Sequence, residues 1–267
     1  MIHVGYLLAL IVGITLGLMG SGGSILTVPI LHYVLDVDVV RATAYSLFIV
    51  GSTALVGAVR HALQKNIDYR IMLLFGIPSV VAVYVTRLFL LPRIPDTLIT
   101  IGSWVLTKER TLLLLFAILM VLAAIRMIRP VQPTSTDLMQ QPSPRLHWGL
   151  MLQGLGVGLL SGLVGAGGGF LMIPAMVLLA RIPMKKAVGT SLAVIAIQSL
   201  IGFTGDLQQP MVFDWTLILI FTSMATLGIF MGMWLTRFFS GDRLKAGFGW
   251  FVLAMGVYIL MSKLIGF

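Results

Sequence analysis

The chain carries one unusual segment twice. Gly20-Ser21-Gly22-Gly23-Ser24 runs into Ile25-Leu26-Thr27-Val28-Pro29, and Gly165-Ala166-Gly167-Gly168-Gly169 runs into Phe170-Leu171-Met172-Ile173-Pro174. The two align without a gap, and further pairs hold the register: Arg41-Ala42 with Lys186-Ala187, Ser46-Leu47 with Ser191-Leu192, and Gly57 with Gly202. One inserted residue brings Asp68-Tyr69 onto Asp214-Trp215, and a few more bring Thr86-Arg87-Leu88-Phe89 onto Thr236-Arg237-Phe238-Phe239. Gly, Pro, Asp, Arg and Ser carry the match, so it exceeds the loose likeness of any two apolar sequences. The fold must therefore place two copies of one unit, 1–129 and 147–267. A polar, Pro-rich linker over 130–146 joins them, with Pro133, Thr134, Ser135, Thr136, Gln140 and Gln141 at its centre.

The solvent for these units is lipid. Charged residues make up only 10% of the chain and hydrophobic ones 58%, against about 25% charged in a soluble domain. With a mean hydropathy of +1.04, the chain reads as an all-α integral membrane protein. Its net charge of +9 does not point to nucleic acid, because Lys and Arg sit in short clusters between apolar runs, as in the cytoplasmic loops of membrane proteins. The lipid bilayer is the expected partner. The absence of cysteine removes disulfides and thiolate metal sites from consideration. The first apolar run, Val4 to Met19, has the look of a secretory signal peptide. It lacks a basic leader beyond His3, however, and it is one member of the matched pair.

A bilayer core takes about 20 apolar residues per spanning helix. Helices are expected over about Ile2–Met19, Ser24–Leu35, Ala42–Ala62, Arg70–Leu90 and Thr111–Met127. In the second half they are expected over about His147–Val164, Gly169–Ala180, Ala187–Gly205, Asp214–Thr236 and Lys245–Lys263. The stretch from Arg93 to Glu109 has no counterpart and is expected to be an extracytoplasmic loop with an interfacial piece around Trp104. The run from His147 to Pro183 would make about 55 Å of continuous helix, too long for one crossing. Two short helices that meet at the glycines and return on the same side fit instead.

Loop charges test this reading. Arg60, His61, Lys65 and Arg70 outweigh Asp68 in one loop, whereas its repeat partner holds Asp206 and Asp214 with no Lys or Arg. Asp36 and Asp38 stand against Arg41 in another loop, while the partner loop carries Arg181, Lys185 and Lys186. Equivalent loops thus carry opposite bias, and the positive-inside rule makes the halves inverted. Counting each glycine segment as a returning hairpin satisfies every loop, with the linker cytoplasmic and both termini extracytoplasmic. Each repeat is then a glycine-broken helical hairpin plus three spanning helices. Inverted repeats with broken helices are a transporter architecture.

A helix that starts inside a membrane leaves its first N–H groups without intrahelical partners, and in lipid each unmet group is costly. The helix dipole adds positive potential there, and glycine lets a ligand approach the backbone. Helices starting near Gly23 and Gly168 would point two anion-attracting ends at the protein centre. Pro29 and Pro174 are placed to kink or end them. The competing reading is tight helix packing on small residues.

The two glycine segments, with Pro29 and Pro174, and the helix start Ala187-Val188-Gly189-Thr190-Ser191-Leu192 resemble the sulfite exporter TauE/SafE family over nearly the whole chain. The second half is the better match. The first half departs from it, with Thr43-Ala44-Tyr45-Ser46 in place of a Val-Gly-Thr-Ser type sequence and with Ser21 and Ser24 at small or glycine positions. The resemblance implies a secondary transporter moving a small anion, such as sulfite or another sulfur oxyanion or an organosulfonate, outward across the cytoplasmic (inner) membrane. A passive anion channel, or a carrier of a non-sulfur anion, is the alternative.

The candidate substrate-binding residues are Gly22, Gly23, Ser24, Ser46, Gly167, Gly168, Gly169, Thr190, Ser191 and Gln198. Ser52 and Thr53 lie at a depth similar to that of Gln198. Ser and Thr in membrane helices also bond back to their own helix, and Gln198 is as well suited to helix glue as to substrate contact. Intramembrane ionisable groups are functional candidates, so His61 and Asp206, at matched positions, are candidates for proton coupling, with His32 behind them. Arg87 and Arg237 end matched helices. Snorkelling to the interface is the plain expectation for them, and anion attraction at each vestibule is the sharper one. An enzyme is not expected: Ser21 lacks the spacing of an intramembrane serine protease, and no His-Glu zinc motif or Asp pair lies within a span. No catalytic residue, metal site or cofactor is expected.

Overall fold

Capping aspartates start three of the long helices. Asp38 accepts from the backbone N–H groups of Val40 and Arg41, Asp68 from Ile71, and Asp214 from Leu217. Each meets donors that a helix start leaves unpaired. The computed structural model describes residues 2–101, 104–128, 144–165, 167, 172, 184–235 and 241–265. Its helices are α1 (Ile2–Met19), α2 (Val39–Leu63), α3 (Tyr69–Val85), α4 (Lys108–Ile128), α5 (Pro144–Val164), α6 (Met184–Asp206), α7 (Trp215–Leu235) and α8 (Gly241–Ile265). A π turn over Thr86–Leu90 and a last turn over Leu91–Arg93 extend α3. The expected spans match these within about a turn, except Ser24–Leu35, which is wound in three short pieces, and Gly169–Ala180, of which only Met172 is described.

Four of these helices are long and apolar enough to cross a membrane: Val39–Leu63, Tyr69–Arg93, Lys185–Asp206 and Trp215–Leu235. The apolar windows of α2 and α6 are 72% buried against 39% for α3 and α7, so α2 and α6 form the centre. Outward faces carry Leu55, Val59, Leu73, Ile77, Val81, Leu219 and Phe230 as exposed side chains. Water would penalise so broad an apolar surface; acyl chains do not. The protein is a multi-pass membrane protein.

Residues that match in the two sequence halves make matching contacts. Helix α1 packs on α7 and α5 on α3, while α2 packs on α6 and α4 on α8. Gly13 and Gly17 of α1 lie on the backbone at Ala225, Ile229 and Gly232. Their repeat partners Gly158 and Gly162 of α5 lie on Ser79, Ala82 and Thr86 of α3. Small residues let these backbones touch, which is how helices gain packing energy where no hydrophobic effect separates protein from lipid.

The unmatched stretch after α3 departs from the expected loop. It forms an antiparallel hairpin of β1 (Thr97–Ile101) and β2 (Trp104–Thr107), pairing Ile101 with Trp104 and Thr97 with Thr107, with an irregularity between Thr97 and Ile99.

Candidate functional site

The first glycine segment turns the chain back on itself. Gly20 has φ +71°, a conformation glycine adopts without the penalty a Cβ brings. From there Gly20–Leu26 winds as a 3₁₀ helix, Thr27–Pro29 as one α turn and Ile30–Val34 as a π turn. The returning strand of chain lies along α1: Gly23 sits on Thr15 and Leu16, and Leu35 on Gly5. This is the returning hairpin expected from the loop charges. Its form differs from a half-helix starting at Gly23, because the tighter 3₁₀ winding starts at Gly20. Pro29 does not end the segment either. It closes the α turn and lacks the N–H that a regular α ladder would use, and the π turn follows it directly.

Gly165 repeats the bend with φ +73° and lies on the backbone and Cβ of Thr43, as Gly20 lies on Val188 at the matching position of the other half. Gly167 has φ +66° and sits among Val50, Ile195 and Ser199. The bends therefore reach the α2/α6 pair, where Gly51 packs on Leu200. Gly168, Gly169 and Pro174 lie outside the described residues.

The polar candidates divide into two kinds. Gln198 is fully buried; its amide nitrogen donates to the Gly167 carbonyl and its oxygen accepts from the Ser79 hydroxyl. It ties the second glycine segment to α3. We expect Gln198→Leu to strand both partners and cost about 1–3 kcal/mol, measured by thermal melting in detergent. Thr190 is occupied as well: its hydroxyl accepts from the backbone N–H of Asp68 at 2.9 Å. The repeat-matched Tyr45 hydroxyl does the same for Asp214 at 2.8 Å. Each half's central helix thus clasps the capping aspartate of the other half's following helix. Thr190→Val and Tyr45→Phe should each cost about 1 kcal/mol and leave substrate affinity unchanged; a loss of affinity in Thr190→Val alone would return Thr190 to the substrate. The Ser191 hydroxyl donates to the Val188 carbonyl of its own helix at 2.9 Å.

The second kind has no partner among the described residues. Ser46, Thr53 and Ser199 present buried hydroxyls from α2 and α6, and Thr27 presents one from the broken segment. Ser24, buried three residues earlier, is not one of them. Thr53 is the repeat counterpart of Gln198, too short to make its bond. Buried polar groups are normally paired, so these hydroxyls are candidates for contact with another polar group. Thr27 and Ser199 escaped the sequence reading, although Ser199 beside Gln198 is a polar pair inside an otherwise apolar helix.

The ionisable candidates also separate. Asp206 is buried against Arg87, whose Nη1 lies 3.3 Å from both carboxylate oxygens. Arg87 does not snorkel: it is fully buried. Arg237 lies outside the described residues. His61 is half-buried at the opposite end of the central pair, beside Gly189, with Nδ1 unpartnered. His32 bonds the Val37 carbonyl through Nδ1 at 2.9 Å and faces Glu109 at 3.9 Å. A cleft of about 500 Å³ lies between α1, the broken segment and α7, lined by Tyr6, Tyr33, Asp36 and Asp214. Its carboxylates make it unfavourable for an anion.

The model of the sulfite exporter TauE/SafE family matches residues 6–259. The chain belongs to this family. It is 29% identical over 253 residues to a "Probable membrane transporter protein" of Xylella fastidiosa (strain 9a5c), covering 94% of this chain and 91% of the relative. It is 34% identical over 204 residues to one of Methanocaldococcus jannaschii, covering 73% and 70%. A Bacillus subtilis relative of the same description is 29% identical over 221 residues, covering 73% and 74%. No solved structure matches the chain. As a TauE/SafE member with these relatives, the protein is a membrane transporter, and the broken segment is one part of its described fold that departs from simple spanning helices.

Proposed function

We propose that this TauE/SafE protein is a secondary transporter that moves a small anion, a sulfur oxyanion such as sulfite or an organosulfonate, outward across the cytoplasmic membrane. The observation that carries the reading is the broken backbone at Gly20–Leu26, with Gly20 and residues 23–26 buried against the helices. Irregular backbone at membrane depth persists where it is enclosed by protein or lines a substrate path. The matched contacts of the two halves support a repeat (1–129 and 147–267) around this centre, and the loop charges are the basis for reading it as inverted, with the linker 130–146 cytoplasmic and both termini outside. The substrate contacts are Gly22, Gly23, Ser24 and Ser46 from the first half and Gly167, Gly168 and Gly169 from the second. Thr27, Thr53 and Ser199 add unpartnered hydroxyls, which are donors an oxyanion accepts from.

The polar clasps favour a carrier over a permanently open channel. Gln198 closes on Gly167 and Ser79, and Arg87 closes on Asp206 and Thr43, so both must part for passage.

The test is melting of the purified protein against sulfite, thiosulfate, sulfate, sulfoacetate, acetate and chloride at matched ionic strength. A ligand at about 100 times its dissociation constant adds roughly 2.7 kcal/mol. Selective stabilisation by one sulfur anion supports the reading, and stabilisation by none contradicts it. Gly167→Ala probes the site. A Cβ there meets Ser199 and Val50 at 3.0 Å, and the positive φ costs about 1–2 kcal/mol. The variant should stay folded and lose most anion stabilisation, whereas Gly167→Leu overfills the space.

A further inference from the structure

Arg87 is the largest fully buried side chain among the described residues. Its polar contacts among the described residues all run through one nitrogen. Nη1 lies 3.3 Å from both oxygens of Asp206 and 3.1 Å from the Thr43 hydroxyl. Nε and Nη2 have no partner among the described residues, and Oδ2 of Asp206 accepts no hydrogen bond.

A guanidinium built to hold a carboxylate permanently uses two nitrogens in a fork at about 2.7–2.9 Å. A buried ion pair is tolerable when its remaining donors are also met. Here the contact is long and one-sided, and the other edge of the fork meets no hydrogen-bond partner among the described residues. That edge matches the two-oxygen face of an oxyanion.

The location is on the glycine path. Thr43 carries Gly165, whose missing Cβ would lie 2.4 Å from the Thr43 Cβ. The hydroxyls of Thr86, next to Arg87, and of Ser161, one turn before Gly165, are buried without partners. Asp206 ends α6, about 24 Å along the helix from the Thr190 clasp. Lys108 lies within electrostatic reach of Arg87 and is balanced by Asp38 and Asp96.

We propose that Arg87 and Thr43 form an anion-binding site at this end of the transport path. Asp206 is the tethered carboxylate that fills it when no substrate is bound. An arriving oxyanion takes the guanidinium fork, Asp206 swings away, and the α3–α6 contact it maintained is released. The proposal rests on the anion-transport reading and adds a site to it.

The test is titration calorimetry of purified protein in gluconate buffer with whichever of sulfite, thiosulfate and sulfoacetate stabilises the wild type most. Asp206→Asn removes the competing carboxylate and should tighten binding by about tenfold. The neutral double variant R87Q/D206N should melt within a few degrees of the wild type and bind at least about tenfold more weakly. Asp206→Asn should also melt low in gluconate and recover with the added anion, which a sealed structural pair would not do. Unchanged binding in R87Q/D206N overturns the site, as does a folded Asp206→Asn that neither binds tighter nor is rescued. Should Asp206→Asn fail to fold, the double variant decides alone. A wild type that binds none of the anions instead removes the anion-transport reading itself.

Discussion

Arg87→Gln, with Asp206 left in place, is expected to destabilise the protein by about 3–5 kcal/mol. This is the cost of a buried charge that has lost its counterion. Asp206 is only 1% exposed, so its carboxylate has no route to solvent without moving the end of α6. Adding Asp206→Asn to Arg87→Gln should recover most of that loss, because a neutral amide pair pays far less for burial. The double-mutant cycle therefore has a large coupling energy, read from melting or denaturant titration in mixed micelles. Additive losses would mean that the two side chains do not sense each other and would refute the pair.

The second large effect is steric. In Gly13→Ala the new Cβ would lie 1.9 Å from the Ala225 carbonyl oxygen, and in Gly158→Ala 2.4 Å from that of Ser79. Both obstacles are backbone, so α1 must lift from α7 or α5 from α3. Overpacking of this kind costs about 1–3 kcal/mol and sometimes more, and the loss of close helix contact falls at the upper end. Gly149 and Gly156 on α5 have nothing within 4 Å of an added Cβ. Alanine there should be neutral or gain up to about 1 kcal/mol from helix propensity. Equal effects at all four positions would show that α1/α7 and α5/α3 are not in backbone contact.

How much of this was legible in the sequence depends on the distance over which each signal acts. The spans were legible because hydropathy is a local sum: the expected Ala42–Ala62 and Ala187–Gly205 lie within α2 and α6. The glycine turn was legible because Gly20 and Gly165 need a positive φ, and glycine is the residue that supplies it. The winding was not, since the choice between 3₁₀, α and π geometry over Gly20–Val34 depends on what packs around the segment.

Side-chain partners were the least legible. Nothing near Thr190 in the chain announces that its hydroxyl receives the N–H of Asp68, far away in sequence. The repeat held that information in a form visible only in space, because the matching acceptor is Tyr45, a different residue type doing the same job for Asp214. Arg87 misled for a similar reason. An arginine near the end of a membrane helix ordinarily reaches for the interface, and only the arrival of Asp206 from the other half keeps it inside. The hairpin at Thr97–Thr107 was missed because Gly102-Ser103 between two β-branched runs was outweighed by the expectation of a polar loop.

Flux shows directly whether the protein carries a sulfur anion. Purified protein is reconstituted into liposomes loaded with labelled sulfite, thiosulfate or sulfoacetate, and anion release is followed beside protein-free liposomes and a Gly167→Ala preparation. Saturable release of at least one of these anions is expected, at rates well above empty liposomes and strongly reduced in the variant. Release no faster than from protein-free liposomes for every anion, by protein shown to be folded, would contradict sulfur-anion transport.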